Sequence, residues 1–348
     1  MVNFRDHLIT NRTSIREALK RLDALASDAI VFVVDKDDRL KGSLTDGDVR
    51  RGLLKDVTID EPVSKIIQVH PRFLKKGARD IHQIIQYRFE NFRIIPVLDA
   101  DDKVINIVNF RHMRSYLPID AIIMAGGRGQ RLKPLSDTIP KPLLKVGDKS
   151  IMEHNVDRLA LYGIDDFWFS VKYLGNQIVD YFGDGKDKNR SIQYVWEDLP
   201  LGTIGSASKI DNFKHDHVLV SNSDILTNLD YEAFYLDFLE KDADFSVVTI
   251  PYNVSIPYAV LETSNGHVLD FKEKPTYTYY SNGGIYLMKR SVLEYIPKNT
   301  HFNATDLMEK LIVENKNIIS YPLVGYWLDV GKHEDLKKAQ NDINTIKF

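Results

Sequence analysis

The sequence predicts an α/β protein, with a Rossmann-like, mostly parallel sheet that has helices on both faces, preceded by a small tandem α/β module. From residue 119 onward, strand-like apolar runs alternate with helix-like segments, the order typical of parallel sheets. Before residue 117, a pattern of about 55 residues occurs twice. Of the 348 residues 43% are hydrophobic, so the chain can bury a sizeable core in two or three domains.

The first repeat, residues 1–58, contains the signals of two helices and two strands. A cap at Thr13-Ser14 precedes apolar residues spaced by three or four positions, which predicts a helix. A buried strand is expected at residues 29–34 and a second strand from Leu40. A second helix is then expected to open at Thr45.

The second repeat, residues 59–116, follows the same order. A helix is expected around residues 81–89, followed by strands at 93–98 and 104–110, and Arg111 is expected to open a terminal helix. Each repeat is too small to bury a core alone, so we expect the two to pack face to face.

Beyond a short linker at residues 115–119, helices and strands alternate. Helices are expected at 151–162, 177–182, 231–242 and 334–346, and strands at 121–124, 166–171, 192–196, 217–220 and 245–250. Because ligands of open α/β sheets bind at the carboxyl ends of the strands, the residues that follow these strands are the first candidates for a site.

The strand at residues 121–124 runs into a basic, glycine-rich loop, Ala125-Gly-Gly-Arg-Gly-Gln-Arg131. Glycines let a backbone approach a ligand, and arginine suits phosphate oxygens. The glycines alone are equally compatible with an ordinary turn, but Lys141 follows on a stiff segment between two prolines, which favours a phosphate site. Neither the common phosphate loop nor the dinucleotide fingerprint is present in this segment.

Two aspartates are candidate metal ligands. Asp224 ends a buried strand, although taken alone a turn-capping aspartate would be the better interpretation, and Asp329 lies between an apolar strand and Gly331. Two carboxylates about 4 Å apart repel by roughly 4 kcal/mol at an effective dielectric constant of 20. Beside a triphosphate such a pair would need a divalent cation, and Mg²⁺ suits carboxylates together with phosphate oxygens.

Composition excludes several classes of protein. The chain has no cysteine, which rules out disulfides, zinc–thiolate sites and thiol catalysis, and its net charge of −3 gives no basic field for nucleic acid. Without a signal peptide or a membrane-spanning run, we expect a cytoplasmic protein with no membrane partner. The pair His215 and His217 lacks a third metal ligand nearby in the sequence, so we expect a solvated turn there.

The glycine-rich loop, continued by Pro140-Lys-Pro-Leu-Leu144, resembles the signature of the sugar-1-phosphate nucleotidyltransferases, from about Ile119 to the C-terminus. The resemblance implies a GT-A-like catalytic domain over residues 119–348, with Mg²⁺ held by Asp224 and Asp329. The catalytic residues implied are Arg131, Lys141, Asp224, Lys274 and Asp329. The nucleotide contacts implied are Ala125, Gly126, Gly127, Gly202 and Thr203, and the sugar-phosphate contacts are Glu197, Glu273, Asn282 and Gly283.

The two N-terminal repeats resemble a pair of CBS motifs. The first contains Gly42-Ser-Leu-Thr-Asp-Gly-Asp48, which implies that Thr45 and Asp48 contact the ribose of an adenine or guanine nucleotide. Capping of the following helix explains the same residues and is compatible with that role. In the second repeat, Asn109 and His112 replace the threonine and aspartate, which puts a second nucleotide site in doubt. CBS pairs commonly associate, so we expect a homodimer or a larger oligomer.

Together these features resemble bacterial guanylyltransferases that activate glucosamine 1-phosphate for legionaminic acid synthesis, and related mannose- or heptose-phosphate enzymes. The expected reaction transfers a nucleoside monophosphate, with GTP favoured, to glucosamine 1-phosphate or a related hexose 1-phosphate. The CBS pair would regulate the enzyme or dimerise. Two alternatives remain open: a uridylyl- or thymidylyltransferase of the same family, and a CBS-based nucleotide sensor whose transferase domain is inactive.

Overall fold

The computed structural model describes residues 3–76 and 80–346. Contacts within the chain define two compact units, one of Met1–Pro118 with Leu161–Gly163 and one of Ile119–Ala160 with Ile164–Phe348. In the described ranges, every helix is too short or too polar to cross a membrane.

The first unit contains two similar three-stranded sheets. Its strands are β1 (Leu8–Thr10), β2 (Ile30–Val34), β3 (Leu40–Thr45), β4 (Leu74–Lys75), β5 (Ile94–Leu98) and β6 (Val104–Asn109), and its helices are α1 (Ile15–Leu25), α2 (Asp46–Leu53) and α3 (Ile81–Phe89). In both sheets the first pair of strands is parallel and the second pair is antiparallel. The predicted repeat is thus visible in the strand topology.

The helices of the first repeat begin where their caps predict. Ser14 and Glu17 form a capping box at α1, and Thr45 and Asp48 form one at α2. Each pair satisfies backbone N–H groups that the first turn of a helix leaves without partners. Buried Ile15, among other side chains of α1, then faces a core that includes residues of β2 and β3.

The terminal helix predicted from Arg111 is wrong, because residues 110–118 contain no helix. Asn109 occupies the position that Thr45 has in the first repeat, but its amide donates to the Asp28 carboxylate at 2.8 Å. Its Oδ1 accepts from the backbone N–H of Arg111 at 3.0 Å, which makes a local turn. The second repeat therefore ends without the counterpart of α2.

The second unit contains one large sheet of seven strands, and its other strands form two-stranded sheets. Its strands are β7 (Ile119–Met124), β8 (Lys145–Val146), β9 (Lys149–Ser150), β10 (Asp166–Val171), β11 (Ser191–Trp196), β12 (His217–Asn222), β13 (Ile225–Thr227), β14 (Phe245–Ser255), β15 (Val260–Ser264), β16 (His267–Lys272), β17 (Thr276–Lys289), β18 (Ile318–Pro322) and β19 (Trp327–Asp329). Its helices are α4 (Ile151–Leu161), α5 (Gly175–Phe182), α6 (Tyr231–Glu240), α7 (Ala304–Val313) and α8 (His333–Asp342).

The strand order of the large sheet is β11-β10-β7-β12-β17-β14-β18, and only β17 runs antiparallel to its neighbours. The predicted mostly parallel α/β sheet is therefore confirmed. Its central strands are buried along nearly their whole length, as expected of parallel strands covered on both faces. The ladder pairs Met124 with both Ser170 and Asn222, so three strands end at the same level.

Candidate active site

An open pocket of about 470 Å³ lies at the carboxyl ends of β7, β10 and β12. Its lining residues are Met124, Gly126, Gly127, Arg128, Lys141, Pro142, Lys172, Glu197, Pro200, Gly202, Thr203, Asn222, Ser223, Asp224 and His301. The pocket thus joins the glycine-rich loop, Lys141 and Asp224 at the edge of the sheet where ligands of such folds bind.

Lys141 lies between the two candidate metal ligands. Its side chain is only 11% exposed, its ammonium donates to Asp224 Oδ2, and it lies 3.6 Å from Asp329 Oδ1. Antiparallel pairing of β13 with β19 brings the aspartates together, and the N–H of Val330 donates to the carbonyl of Asp224 at 2.9 Å. Residues 105 positions apart in sequence therefore share one site.

The carboxylates of this site suit a divalent cation. Burial raises the pKa of Asp329 and the neighbouring Asp224 raises it further, whereas Lys141 and Arg131 lower it. Asp224 Oδ1 and Asp329 Oδ1 are buried and have no hydrogen-bond partner in the described part of the chain. Buried carboxylate oxygens without donors are the hard ligands that Mg²⁺ prefers. Asp224 and Asp329 could therefore hold such an ion.

The glycine-rich loop is fixed to its neighbours through its backbone and its arginines. The N–H of Ala125 donates to the Ser170 carbonyl at 2.8 Å, and the Arg128 guanidinium lies 5.8 Å from the centre of the Tyr173 ring. Arg131 packs against Gly331, where an added Cβ would lie 3.2 Å from its guanidinium. Arg131 is exposed and is therefore available to a ligand near Asp329.

The loop expected to contact the nucleotide is anchored to the start of α7. Gly202 has a φ of +78°, and a Cβ there would lie 2.6 Å from the carbonyl oxygen of Phe302. Thr203 Oγ1 accepts from the N–H of Ala304 at 2.9 Å. Only glycine fits this combination of left-handed backbone and close approach.

Glu197 lies beside the glycine-rich loop. Its carboxylate accepts from Ser170 Oγ at 2.5 Å and from the N–H of Leu201 at 3.0 Å. A Cβ on Gly126 would lie 3.0 Å from Glu197 Oε1. The carboxylate thus forms part of the pocket wall and holds the loop that leads to Gly202.

The remaining expected sugar-phosphate residues lie outside the lining of this pocket. Glu273 and Lys274 are exposed in the turn between β16 and β17, and Asn282 is exposed on β17. Gly283 is buried, and its carbonyl accepts from Trp327 Nε1 at 2.9 Å. The structure thus unites the loop, Lys141 and Asp224 at the pocket, with Asp329 beside Lys141, and the role of Lys274 stays a prediction.

Sequence reasoning missed several lining residues. Asn222 and Ser223 directly precede Asp224, so the strand end that indicated Asp224 could also have indicated them. His301 precedes α7 by three positions and has no motif around it, so no sequence signal pointed to it.

Asp48 of the first unit has its oxygens engaged within that unit. It accepts from Thr45 Oγ1 at 2.7 Å and from Gln68 Nε2 at 2.9 Å, and it is paired with Arg51. Burial would raise the pKa of Asp48, but these hydrogen bonds outweigh it and lower the pKa. The capping role of Thr45 and Asp48 is therefore present, and a ribose would have to share this carboxylate with Gln68 and Arg51.

The expectation of a solvated turn at His215 and His217 is wrong. His215 is only 9% exposed, and its Nε2 lies 3.5 Å from Asp166 Oδ2. His217 Nδ1 lies 3.0 Å from the hydroxyl of Tyr235. Burial lowers the pKa of His217.

Comparison with known proteins identifies relatives of both units. The sequence model of the nucleotidyl transferase family matches residues 120–346, and that of the CBS domain matches residues 8–55. A UTP–glucose-1-phosphate uridylyltransferase from Synechocystis is 31% identical over 63% of this chain and 62% of its own length. A mannose-1-phosphate guanylyltransferase from Mycobacterium tuberculosis is 29% identical over 65% of this chain and 64% of its own length. The chain thus spans less than two thirds of these curated relatives.

A solved structure resembles the second unit. The structure of HddC from Yersinia pseudotuberculosis complexed with GMP-PN aligns with a TM-score of 0.50 and 25% identity. The alignment covers 64% of this chain and 99% of that chain.

Proposed function

This chain belongs to the nucleotidyl transferase family, and we propose that it transfers a nucleoside monophosphate from a nucleoside triphosphate to a sugar 1-phosphate. A phosphate oxygen of the sugar 1-phosphate attacks the α-phosphorus, the bond to the β-phosphate oxygen breaks, and pyrophosphate leaves. The observation that carries the proposal is the meeting of Lys141, Asp224 and Asp329 at the pocket of the glycine-rich loop. A phosphate nucleophile is already ionised near pH 7, so the site needs no general base.

The charged residues of the proposed site then have separate roles. Asp224 and Asp329 would hold Mg²⁺, which when bound neutralises phosphate charge and orients the triphosphate. Lys141 pairs with the attacked phosphates, and exposed Arg131 stabilises the leaving pyrophosphate. Lys274, exposed in the turn before β17, would bind the sugar phosphate. Positioning and charge stabilisation together supply the catalysis.

We propose GTP as the nucleotide and glucosamine 1-phosphate or a related hexose 1-phosphate as the acceptor. The guanylyltransferase from M. tuberculosis and the GMP-PN complex of HddC support GTP. The uridylyltransferase from Synechocystis supports the alternative, UTP with glucose 1-phosphate. The two choices differ in the nucleotide and can be separated in one assay.

That assay measures pyrophosphate release with Mg²⁺ for GTP, UTP, dTTP, CTP and ATP, each paired with glucosamine-, N-acetylglucosamine-, glucose- and mannose-1-phosphate. We expect release with GTP that depends on one of the sugar phosphates. Release with UTP alone would overturn the choice of base but not the reaction. Nucleotide binding without release from any pair would contradict the transferase proposal and favour a nucleotide sensor.

A further inference from the structure

Acidic residues gather at the edge of the large sheet opposite the pocket. Asp120 lies at the start of β7 and pairs in the ladder with Asp166, the first residue of β10. His215 lies just before β12, which also pairs with β7. Because the strands are parallel, their amino ends bring these residues together, far along the strands from Asp224.

The spacing of three side chains fits a single metal ion. One oxygen of Asp165, one oxygen of Asp166 and one ring nitrogen of His215 all lie within 4.8 Å of one another. His215 Nε2 and Asp166 Oδ2 are 3.5 Å apart. Two ligands at about 2.1 Å from one tetrahedral ion are separated by about 3.4 Å.

The His215 ring supplies a second observation that points to a ligand. Its side chain is 8% exposed, and its Nε2 has no hydrogen-bond partner among the residues that the structure describes. The backbone N–H of His215 donates to Asp120 Oδ2 at 2.7 Å, which fixes the residue beside the carboxylates. A buried polar atom left without a partner costs about 1–3 kcal/mol, and a bound cation would remove that cost.

The local charge also favours a divalent cation. Asp120, Asp165 and Asp166 contribute three negative charges when ionised, and Lys214 supplies one positive charge by pairing with Asp166 Oδ1. With a neutral His215, two negative charges remain in excess.

We propose that Asp165, Asp166 and His215 bind a divalent transition-metal ion of the zinc class, at a site separate from the reaction pocket. One imidazole nitrogen with carboxylate oxygens suits Zn²⁺, whereas Mg²⁺ prefers oxygen ligands and keeps its waters. The half-exposed Asp165 gives the ion access from solvent. The ion ties the segment before β12 to β10, and it would do so whether or not the proposed transfer reaction is correct.

Zinc binding to the full chain, without a histidine tag and in excess Mg²⁺, tests the site by isothermal titration calorimetry. We expect one Zn²⁺ per chain and a higher melting temperature with zinc than with Mg²⁺ alone. Co²⁺ should give the visible absorption of a tetrahedral site. The variants His215→Asn and Asp165→Asn should each weaken zinc binding at least tenfold, whereas Asp224→Asn, in the reaction pocket, should retain it.

His267→Asn, at an exposed histidine on β16, is the matched control and should bind zinc as the unmodified chain does. Because Asp165 is partly exposed, Asp165→Asn tests the site even if His215→Asn fails to fold. The proposal is overturned if no zinc binds, as expected if a protonated His215 satisfies the carboxylates instead. It is equally overturned if zinc binds with unchanged affinity to Asp165→Asn.

Discussion

Lys141 occupies the space between two carboxylates that the proposed reaction needs for a cation. Its ammonium contacts Asp224 and lies 3.6 Å from Asp329. Unit charges at 4 Å attract by about 4 kcal/mol at an effective dielectric constant of 20, less where water screens them. Since Asp329 is 43% exposed, only part of this energy applies here. A metal ion and Lys141 therefore compete for the same two carboxylates, and nucleotide phosphates give the released lysine a new partner.

Replacing Lys141 should remove the link between binding of the metal ion and binding of the nucleotide. We expect Lys141→Met to bind Mn²⁺ about tenfold more tightly without nucleotide, a change of about 1.4 kcal/mol, and to bind the triphosphate more weakly. Calorimetric titration with Mn²⁺ and then with nucleotide measures both affinities. Lys145→Met removes an exposed lysine nearby and should change neither. Unchanged or weaker Mn²⁺ binding in Lys141→Met would contradict the competition.

Asp224 should matter for turnover and not for folding. An asparagine there keeps a side-chain oxygen that can accept from Lys141, so Asp224→Asn should preserve the fold but removes a negative charge from the cation site. We expect turnover to fall at least about a hundredfold, because a bound metal ion contributes several kcal/mol to such reactions. Steady-state kinetics measures the turnover, and circular dichroism checks the fold. Asp187→Asn, an exposed substitution, is the control, and near-normal turnover in folded Asp224→Asn would disprove the metal assignment.

At the level of structural elements, the conformation of the loop at Gly202 depends on its contact with the residues before α7. Gly202→Ala should raise the KM for nucleotide about tenfold, since the added Cβ would push the loop off the carbonyl of Phe302. Gly266 also has a positive φ, +81°, but a Cβ there meets nothing within 4 Å. Gly266→Ala should thus cost about 1 kcal/mol of stability and leave KM unchanged. Equal KM values for the two variants would show that the contact is unimportant.

Helix α4 is held to the neighbouring strands by the Asp157 carboxylate. It accepts from Lys149 Nζ at 2.8 Å and from Arg190 Nη2 at 2.7 Å. Burial would raise the pKa of Asp157, but these hydrogen bonds outweigh it and lower the pKa. The stabilisation is therefore present above the unfolded pKa of about 3.9 and is lost as the pH falls through the lower folded-state pKa.

Asp157→Asn should accordingly reduce the free energy of unfolding by about 1.5–3 kcal/mol at pH 7. The difference from the unmodified chain should shrink as the pH drops below about 4, because the native carboxyl is then protonated as well. Urea unfolding at several pH values measures both quantities. A difference that is constant with pH would show that the carboxylate charge is not the source of the stability.

At the scale of the whole molecule, sequence patterns predicted the residues that end long strands. Asp224 and the glycine-rich loop follow buried apolar runs, and parallel pairing then places them at one edge. The contact between Asp224 and Asp329 depends on β13, a strand of three residues that gives no periodic signal. The closeness of Asp165 and Asp166 to His215 was missed for a related reason, because it arises from strand pairing and not from spacing along the chain.

One predicted helix failed to form because side-chain chemistry overrode the pattern. A helix from Arg111 required a cap at Asn109, but that amide binds Asp28. The role of Lys274 stays a prediction, because β15 and β16 before it are almost wholly exposed and the order of motifs along the chain does not determine how an exposed hairpin lies.

The CBS-like unit gives the last prediction, that it controls either the assembly or the activity of the chain. It exposes large apolar side chains, with Leu54 80% and Phe89 88% accessible, which is typical of a surface that associates. We expect light scattering to show two or more copies per particle for the full chain, and fewer copies per particle for residues 119–348. ATP or AMP should alter the turnover of the full chain only.

The shortened chain should fold, because the large sheet has a core of its own around residues such as Phe245 and Tyr286. Its melting curve must show this before its kinetics are compared, since an unfolded fragment would mimic a loss of activation. If the folded fragment matches the full chain in both the number of copies per particle and the nucleotide response, neither role belongs to the first unit. If only the number of copies per particle changes, the unit assembles the chain without regulating it. The contacts of Asp48 with Gln68 and Arg51 then serve the fold alone.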